Sequence, residues 1–250
     1  MEEKLDCIMD IGEQMLVSGA EVHRTEDSIT RMCAALGSVR TDVFIITSSI
    51  VVTVHDRDGK TCTQTRRIIT TGTDFEKIHR LNALSRRICG EALTPAEIRE
   101  ALARAVTCKS YPFWLETGCY GLIAGAFTLF FGGGFGEMLV SFLIGLLVRL
   151  CAIAVEKGIS NKIFSKFFSV MVATAFALIA LRLKLIPTVD MIIIGNIMSL
   201  IPGIGLTNAL RDLFTGDSIA GLLRSIEAVL VALAIAAGYF LVTMVGGLLV

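Results

Sequence analysis

The chemistry of this chain gathers in Ser199-Leu200-Ile201-Pro202-Gly203-Ile204-Gly205-Leu206-Thr207-Asn208-Ala209-Leu210-Arg211-Asp212, where an apolar run meets a proline, two glycines and then four polar side chains. Proline removes a backbone donor and glycine weakens a helix, so no continuous helix is expected across Pro202-Gly203. A break there frees carbonyls on one side, and the helix that restarts beyond it presents unpaired amides and a positive dipole end. With Thr207, Asn208, Arg211 and Asp212 close by, such a set suits a small carboxylate. The alternative is a surface turn in which Asp212 or Asp217 caps a helix.

The preceding run is too short to cross a bilayer by itself. Residues 188–201 extend about 21 Å as a helix, against a hydrocarbon core of roughly 30 Å. The break is therefore expected at membrane depth, where irregular backbone survives only against protein or a water-filled cavity. Asn196, beside Gly195 in the same run, is either interhelical glue or a ligand. Arg149, Asp190 and Glu227 are possible pathway or coupling charges, because an ionisable group costs about 2.5–3.5 kcal/mol at the bilayer centre. Arg149 is expected to snorkel or to pair with Glu156 or Asp190.

Five apolar spans position these residues, near 118–135, 137–156, 165–184, 188–210 (interrupted) and 222–250. Tyr111-Pro112-Phe113-Trp114 reads as an interfacial aromatic anchor, and Gly132-Gly133-Gly134 as a tight turn. The small residues Gly118, Gly121, Ala124, Gly125 and Ala126 suit close helix contacts in lipid. Lys109, Lys157, Lys162, Lys166, Arg211 and Arg224 outnumber Arg182 and Lys184 at the opposite ends, which predicts that the amino-terminal part is cytoplasmic.

That amino-terminal part is built differently. The 250 residues carry 23 basic and 23 acidic side chains, but 15 and 17 of them fall in residues 1–116. Residues 1–112 are expected to form an α+β domain and 113–250 a transmembrane helical domain. Apolar residues at helical spacing predict helices over 3–17 and from Val22 to Gly37. Ser18-Gly19-Ala20-Glu21 reads as a capping box between them, and Glu21 with Arg24 as a surface ion pair. Alternation predicts strands near 43–47, 50–54 and 61–69, the last an exposed or edge strand. Thr73-x-x-Glu76 and Thr94-Pro95-x-Glu97 are further capping boxes, starting helices near 74–89 and 95–108. The acidic start predicts no secretory signal.

Several function classes recede on this reading. His23, His55 and His79 show no ligand spacing with each other or with cysteine, so no metal or cofactor is expected. The seven cysteines are scattered and read as reduced, mostly buried thiols. No phosphate-binding Gly-x-x-x-x-Gly-Lys-Ser/Thr occurs, and neutral charge argues against nucleic acid. A hydrolytic trio of Ser18, His23 and Asp27 is disfavoured because capping already accounts for Ser18. A membrane-anchored hydrolase and a regulatory or assembly subunit remain as alternatives to transport.

Three stretches also carry a resemblance. Ser18-Gly19-Ala20-Glu21-Val22-x-Arg24-x-Glu26, the three-strand stretch, and the Pro202-Gly203 to Asp212 segment with Gly216-Asp217 are similar to the threonine/serine exporter (ThrE-type) family. The resemblance implies a bacterial inner-membrane exporter of amino acids or small organic acids, driven by an ion gradient. Long members have about ten spans. This chain resembles the larger half of a split system, which implies a second, smaller membrane protein as partner, with homo-oligomers possible and succinate-like dicarboxylates among the cargoes.

Overall fold

The computed structural model describes residues 2–107, 111–158 and 161–248. It is mostly helical, with one small sheet near the amino terminus. Two compact units form, one from Met1–Lys109 with Gly205–Ser225 and the other from Ser110–Ile204 with Ile226–Val250. Residues 205–225, expected with the membrane part, thus pack with the amino-terminal segment. Cys108 and Lys109 lie outside the described residues.

In the first unit, α1 (Glu2–Val17) buries Leu5, Ile8, Ile11, Met15 and Leu16 on one stripe, and α2 (Val22–Ala35) packs against it through Ile29 and Met32. The join corrects the expected capping box. Gly19 has φ +91°, its N–H donates to Leu16 O and that of Ala20 donates to Met15 O, each at 3.0 Å. Ser18-Gly19-Ala20 is therefore the stop of α1, with a left-handed glycine closing the last turn. Glu21 is the residue that precedes α2, and its side chain makes no cap hydrogen bond. The Ser18 hydroxyl is buried without a partner.

Strands β1 (Arg40–Ile46), β2 (Ser49–His55) and β3 (Thr61–Arg67) form an antiparallel sheet in that order. The central strand turns Ile50, Val52 and Val54 into the core, while β3 lies at an edge, as its threonine pattern predicts. Arg66 of β3 reaches three acids on α1, at 2.5 Å from Asp6, 3.0 Å from Asp10 and 3.8 Å from Glu13. Helices α3 (Phe75–Gly90) and α4 (Pro95–Val106) follow. The Thr94–Glu97 capping box is present, but α3 is capped by Asp74, which accepts from Lys77 N, and not by Thr73. Among the described cysteines, all free, Cys7 and Cys33 are buried while Cys89 and Cys119 are exposed, so the thiols are not mostly buried as expected. Burial pushes the Cys33 thiol up to about 12, which keeps it inert.

The second unit contains α5 (Phe113–Phe130), α6 (Phe135–Gly158), α7 (Lys162–Arg182) and α8 (Asp190–Met198). The chain then enters α9 (Gly203–Thr215) and α10 (Ser218–Leu248), the latter belonging to this unit from Ile226. Four of these helices, α5, α6, α7 and α10, are long and apolar enough to cross a membrane, and α8 with α9 form a bent pair, a broken span or a re-entrant loop. Gly121 and Gly145 let α5 and α6 approach closely: a Cβ on Gly121 would lie 2.9 Å from Phe142 O, and one on Gly145 2.9 Å from Tyr120 O. Gly125 and Ala124 face the same neighbours, but Gly118 meets nothing and Ala126 is exposed. Leu122, Phe130, Leu139, Leu143 and Phe164 point outward, a surface suited to lipid.

Two glycines test the corner that ends α1. A Cβ on Gly19 would stand 2.4 Å from Gly72 O, whereas one on Gly37, with a similar φ of +101°, would meet nothing within 4 Å. Gly37→Ala is expected to lose about 1–2 kcal/mol from backbone strain alone, and Gly19→Ala clearly more. Thermal unfolding of the detergent-solubilised chain measures both, and equal losses would refute the close approach.

Candidate functional site

Pro202 stands just ahead of α9, and Gly216, at φ +99°, closes its far end, with Asp217 N donating to Asp212 O at 2.9 Å. α10 starts at once, and Gly221 lies so close to α9 that a Cβ would be 2.8 Å from Ala209 O. This helical hairpin packs on the α1–α2 corner within the first unit. Asn208 Nδ2 reaches Gly19 O at 3.5 Å, Arg224 Nη2 donates to Ala20 O at 3.1 Å, and the Arg211 guanidinium pairs with the Glu21 carboxylate. Residues quoted from two distant motifs thus meet at one place. The expected Glu21–Arg24 pair is replaced by Glu21–Arg211. Arg24 lines a cleft with Asp27, Arg31 and Asn82.

Beneath these contacts lies a buried charge. Asp212 has no solvent exposure, and Arg224 Nη1 stands 3.0 Å from its Oδ2 with only 14% of its own side chain exposed. That is an ion-pair distance, and the backbone N–H of Val22, at the start of α2, also faces the carboxylate. Arg211–Glu21 is more open, with 56% of the Arg211 side chain in reach of solvent. Asp212 is thus closed to solvent beside Arg224, while Arg211 keeps accessible donors.

On the same unit, His23, Glu26 and Asp217 each bring one donor atom within 4.8 Å of the others. The sequence reading weighed His23 only against other histidines and cysteines, and its neighbours here are carboxylates. The carboxyl of Glu26 is pushed above its ordinary range by burial and next by Asp217, with His23 opposing. The Glu26 and Asp217 motif positions were visible in the sequence, but nothing there linked them to His23.

In the second unit, Asn196 is buried and its Nδ2 donates to Ser141 Oγ at 2.9 Å and to Ile192 O at 3.0 Å, while Thr128 Oγ1 donates to Ser141 Oγ at 2.7 Å. This polar seam joins α5, α6 and α8. Asn196 Oδ1, with Ser169 Oγ and Thr174 Oγ1 on α7, is buried without a hydrogen-bond partner. Arg149 pairs with Glu116 at 2.5 Å and lies 5.1 Å from the Tyr120 ring centroid, which corrects the expected partners Glu156 and Asp190. These groups border an apolar cleft of about 440 Å³ with Tyr111, Leu115, Cys119 and Ile123. Glu156 faces Ser165 at 3.4 Å. Asp190 opens α8 and Glu227 lies on α10, both exposed. A neighbouring buried acid, Glu137, which sequence reasoning passed over, accepts from Thr188 Oγ1 at 2.9 Å and from Gly134 N at 2.7 Å.

Removing one partner of the Asp212–Arg224 pair leaves a buried charge. Asp212→Ala or Arg224→Ala is expected to cost about 3–5 kcal/mol, and Asp212→Leu combined with Arg224→Met to recover most of it. Thermal unfolding of the three variants decides the matter; a double variant no better than the singles would contradict it.

Comparison with known proteins gives these contacts a context. The family model ThrE, described as "Putative threonine/serine exporter", matches residues 6–246. "Probable succinate transporter subunit YjjP" of Klebsiella aerogenes is 25% identical over 94% of this chain and 90% of its own length. "Threonine/serine exporter" of Corynebacterium glutamicum is 24% identical over 91% of the chain, and "Probable threonine/serine exporter" of Mycobacterium tuberculosis 26% identical over 94%. The chain spans 48% and 44% of those two proteins, about half their length. No solved structure matches significantly. With apolar helices fit for a multi-pass membrane protein and a family match along nearly its whole length, the chain belongs to the ThrE threonine/serine exporter family, a family of transporters and not of enzymes.

Proposed function

We propose that this chain is a subunit of an ion-gradient-driven exporter of small carboxylates, threonine- or serine-like amino acids or succinate-like dicarboxylates. It acts in the bacterial inner membrane with an amino-terminal domain, residues 1–112, on the cytoplasmic side. The observation that carries the reading is the match along 90% of a relative named a transporter subunit, while longer relatives named exporters are matched over about half their length. That pattern supports a second membrane protein as the supplier of the remaining spans.

The proposed substrate path includes Asn196, Pro202, Gly203, Thr207, Asn208, Arg211 and Asp212. Within it, Arg211 is the proposed carboxylate anchor, since a guanidinium offers paired donors that match a carboxylate. Glu21 then occupies the place that an incoming carboxylate would take, and release of Glu21 accompanies binding. Arg149, Asp190 and Glu227 are the proposed pathway or coupling charges. Buried hydroxyl and amide atoms without partners in α7 and α8 support a polar route, because polar atoms left unpaired in an apolar bundle are costly.

Efflux from proteoliposomes tests the function as a whole. Vesicles holding this chain with the smaller membrane protein proposed as its partner are expected to export threonine, serine or succinate when a proton or sodium gradient is imposed, and either protein alone to export little. Equal leak in all vesicles under every gradient would refute the reading. Arg211→Ala is expected to lower export at subsaturating substrate at least tenfold, while removal of so exposed an ion pair costs about 1 kcal/mol or less of stability. Glu21→Gln is expected to lower KM. Unchanged flux in Arg211→Ala would remove the carboxylate anchor.

A further inference from the structure

Glu26 and Asp217 belong to the two sequence motifs, yet neither is used in the transport reading above. They come from α2 and from the turn between α9 and α10, both in the first unit. Two carboxylates held close together repel each other unless a cation or a proton lies between them. Among the described residues, no lysine or arginine forms an ion pair with either one, whereas Glu21, Asp27 and Asp212 nearby all have arginine partners. The third member of the group is an imidazole, His23, one helical turn before Glu26.

A second observation points the same way. Asp217 Oδ2 is shielded from solvent and has no hydrogen-bond partner. A carboxylate oxygen in that state lacks both water and a donor, and a cation would supply the missing interaction. Glu26 and Asp217 also line one cleft of about 180 Å³, with Gly216 and Ser218 at its wall.

We propose that His23, Glu26 and Asp217 form a divalent transition-metal site that ties α2 to the α9–α10 turn. One imidazole nitrogen with two carboxylate oxygens suits Zn²⁺, Mn²⁺ or Co²⁺, whereas Ca²⁺ and Mg²⁺ take all-oxygen sets. Bonds of roughly 2.0–2.2 Å place tetrahedral ligand atoms about 3.3–3.6 Å apart. Donor atoms within 4.8 Å of one another have to close by about 1 Å, which rotation of the exposed His23 side chain together with the part-buried Glu26 and Asp217 carboxylates supplies. The positions that protein does not fill are open to water on the His23 side. Bound there, the ion clamps segments nearly 200 residues apart in sequence and holds the hairpin that carries Arg211 and Asp212.

The test is a titration of the full chain in detergent, tag removed and chelator-treated, with Zn²⁺ and with Mn²⁺. One ion per chain is expected, with Glu26→Gln and Asp217→Asn each weakening the affinity at least about tenfold. The visible spectrum of added Co²⁺ is expected to change on His23→Ala, and saturating Zn²⁺ to raise Tm in the wild type but not in Glu26→Gln. No uptake up to about millimolar ion, or uptake that all three substitutions leave unchanged, would overturn the site and leave a carboxylate pair sharing a proton. The titration reads the ion alone, so its outcome is independent of whether the chain exports the cargo proposed above.

Discussion

Asp212 sits without solvent in an apolar stretch, and a charge in that position must be met by another charge or the structure around it fails. Arg224 meets it, and the rest of the hairpin follows from that demand. For Arg224 to reach back, α9 and α10 must lie nearly in contact, which Gly221 permits and the left-handed Gly216 turn enforces. The second arm of the same guanidinium then binds Ala20 O. One arginine thus fixes a buried acid and a helix stop together. The pairing of Arg211 with Glu21, at the more open edge, adds little stability but settles which charges remain accessible.

This arrangement explains why small residues recur at the corner that ends α1. Gly19 is needed twice, once for its backbone angle and once because Gly72 O leaves no room for a methyl group. Ala20 offers its carbonyl and little else. Glu21 has no capping duty and is free to hold Arg211. What reads in one dimension as a capping box is, in three, a stop signal followed by a partner for a distant arginine.

The apolar unit answers a different constraint. Lipid supplies no hydrogen bonds, so every polar group must find its partner inside the bundle. Thr128, Ser141 and Asn196 do so across α5, α6 and α8, and Glu116 does so for Arg149. Glycines at 121, 145 and 195 bring the helices close enough for those short side chains to touch. Among the described residues, the atoms left over include Asn196 Oδ1 on α8, Ser169 Oγ and Thr174 Oγ1 on α7, and Arg149 Nε on α6.

Much of what depends on near neighbours along the chain was legible before any coordinates, though Asp74 and not Thr73 caps α3. The strand alternation of 50–54, the Thr94-Pro95 cap, the apolar runs and the break at Pro202-Gly203 are local effects of side-chain period and backbone chemistry, and the motif order marked the family. The limits of that reading are equally physical. A Ser-Gly-Ala-Glu string fits both a helix start and a helix stop, and only the packing of Gly19 against Gly72 selects the stop. Partner choice for Glu21, Arg149 and His23 rests on groups 190, 33 and 194 positions away, brought near by the hairpin and by helix packing. Charge attraction at that range carries no periodic signature in a sequence, so tertiary structure alone decided it.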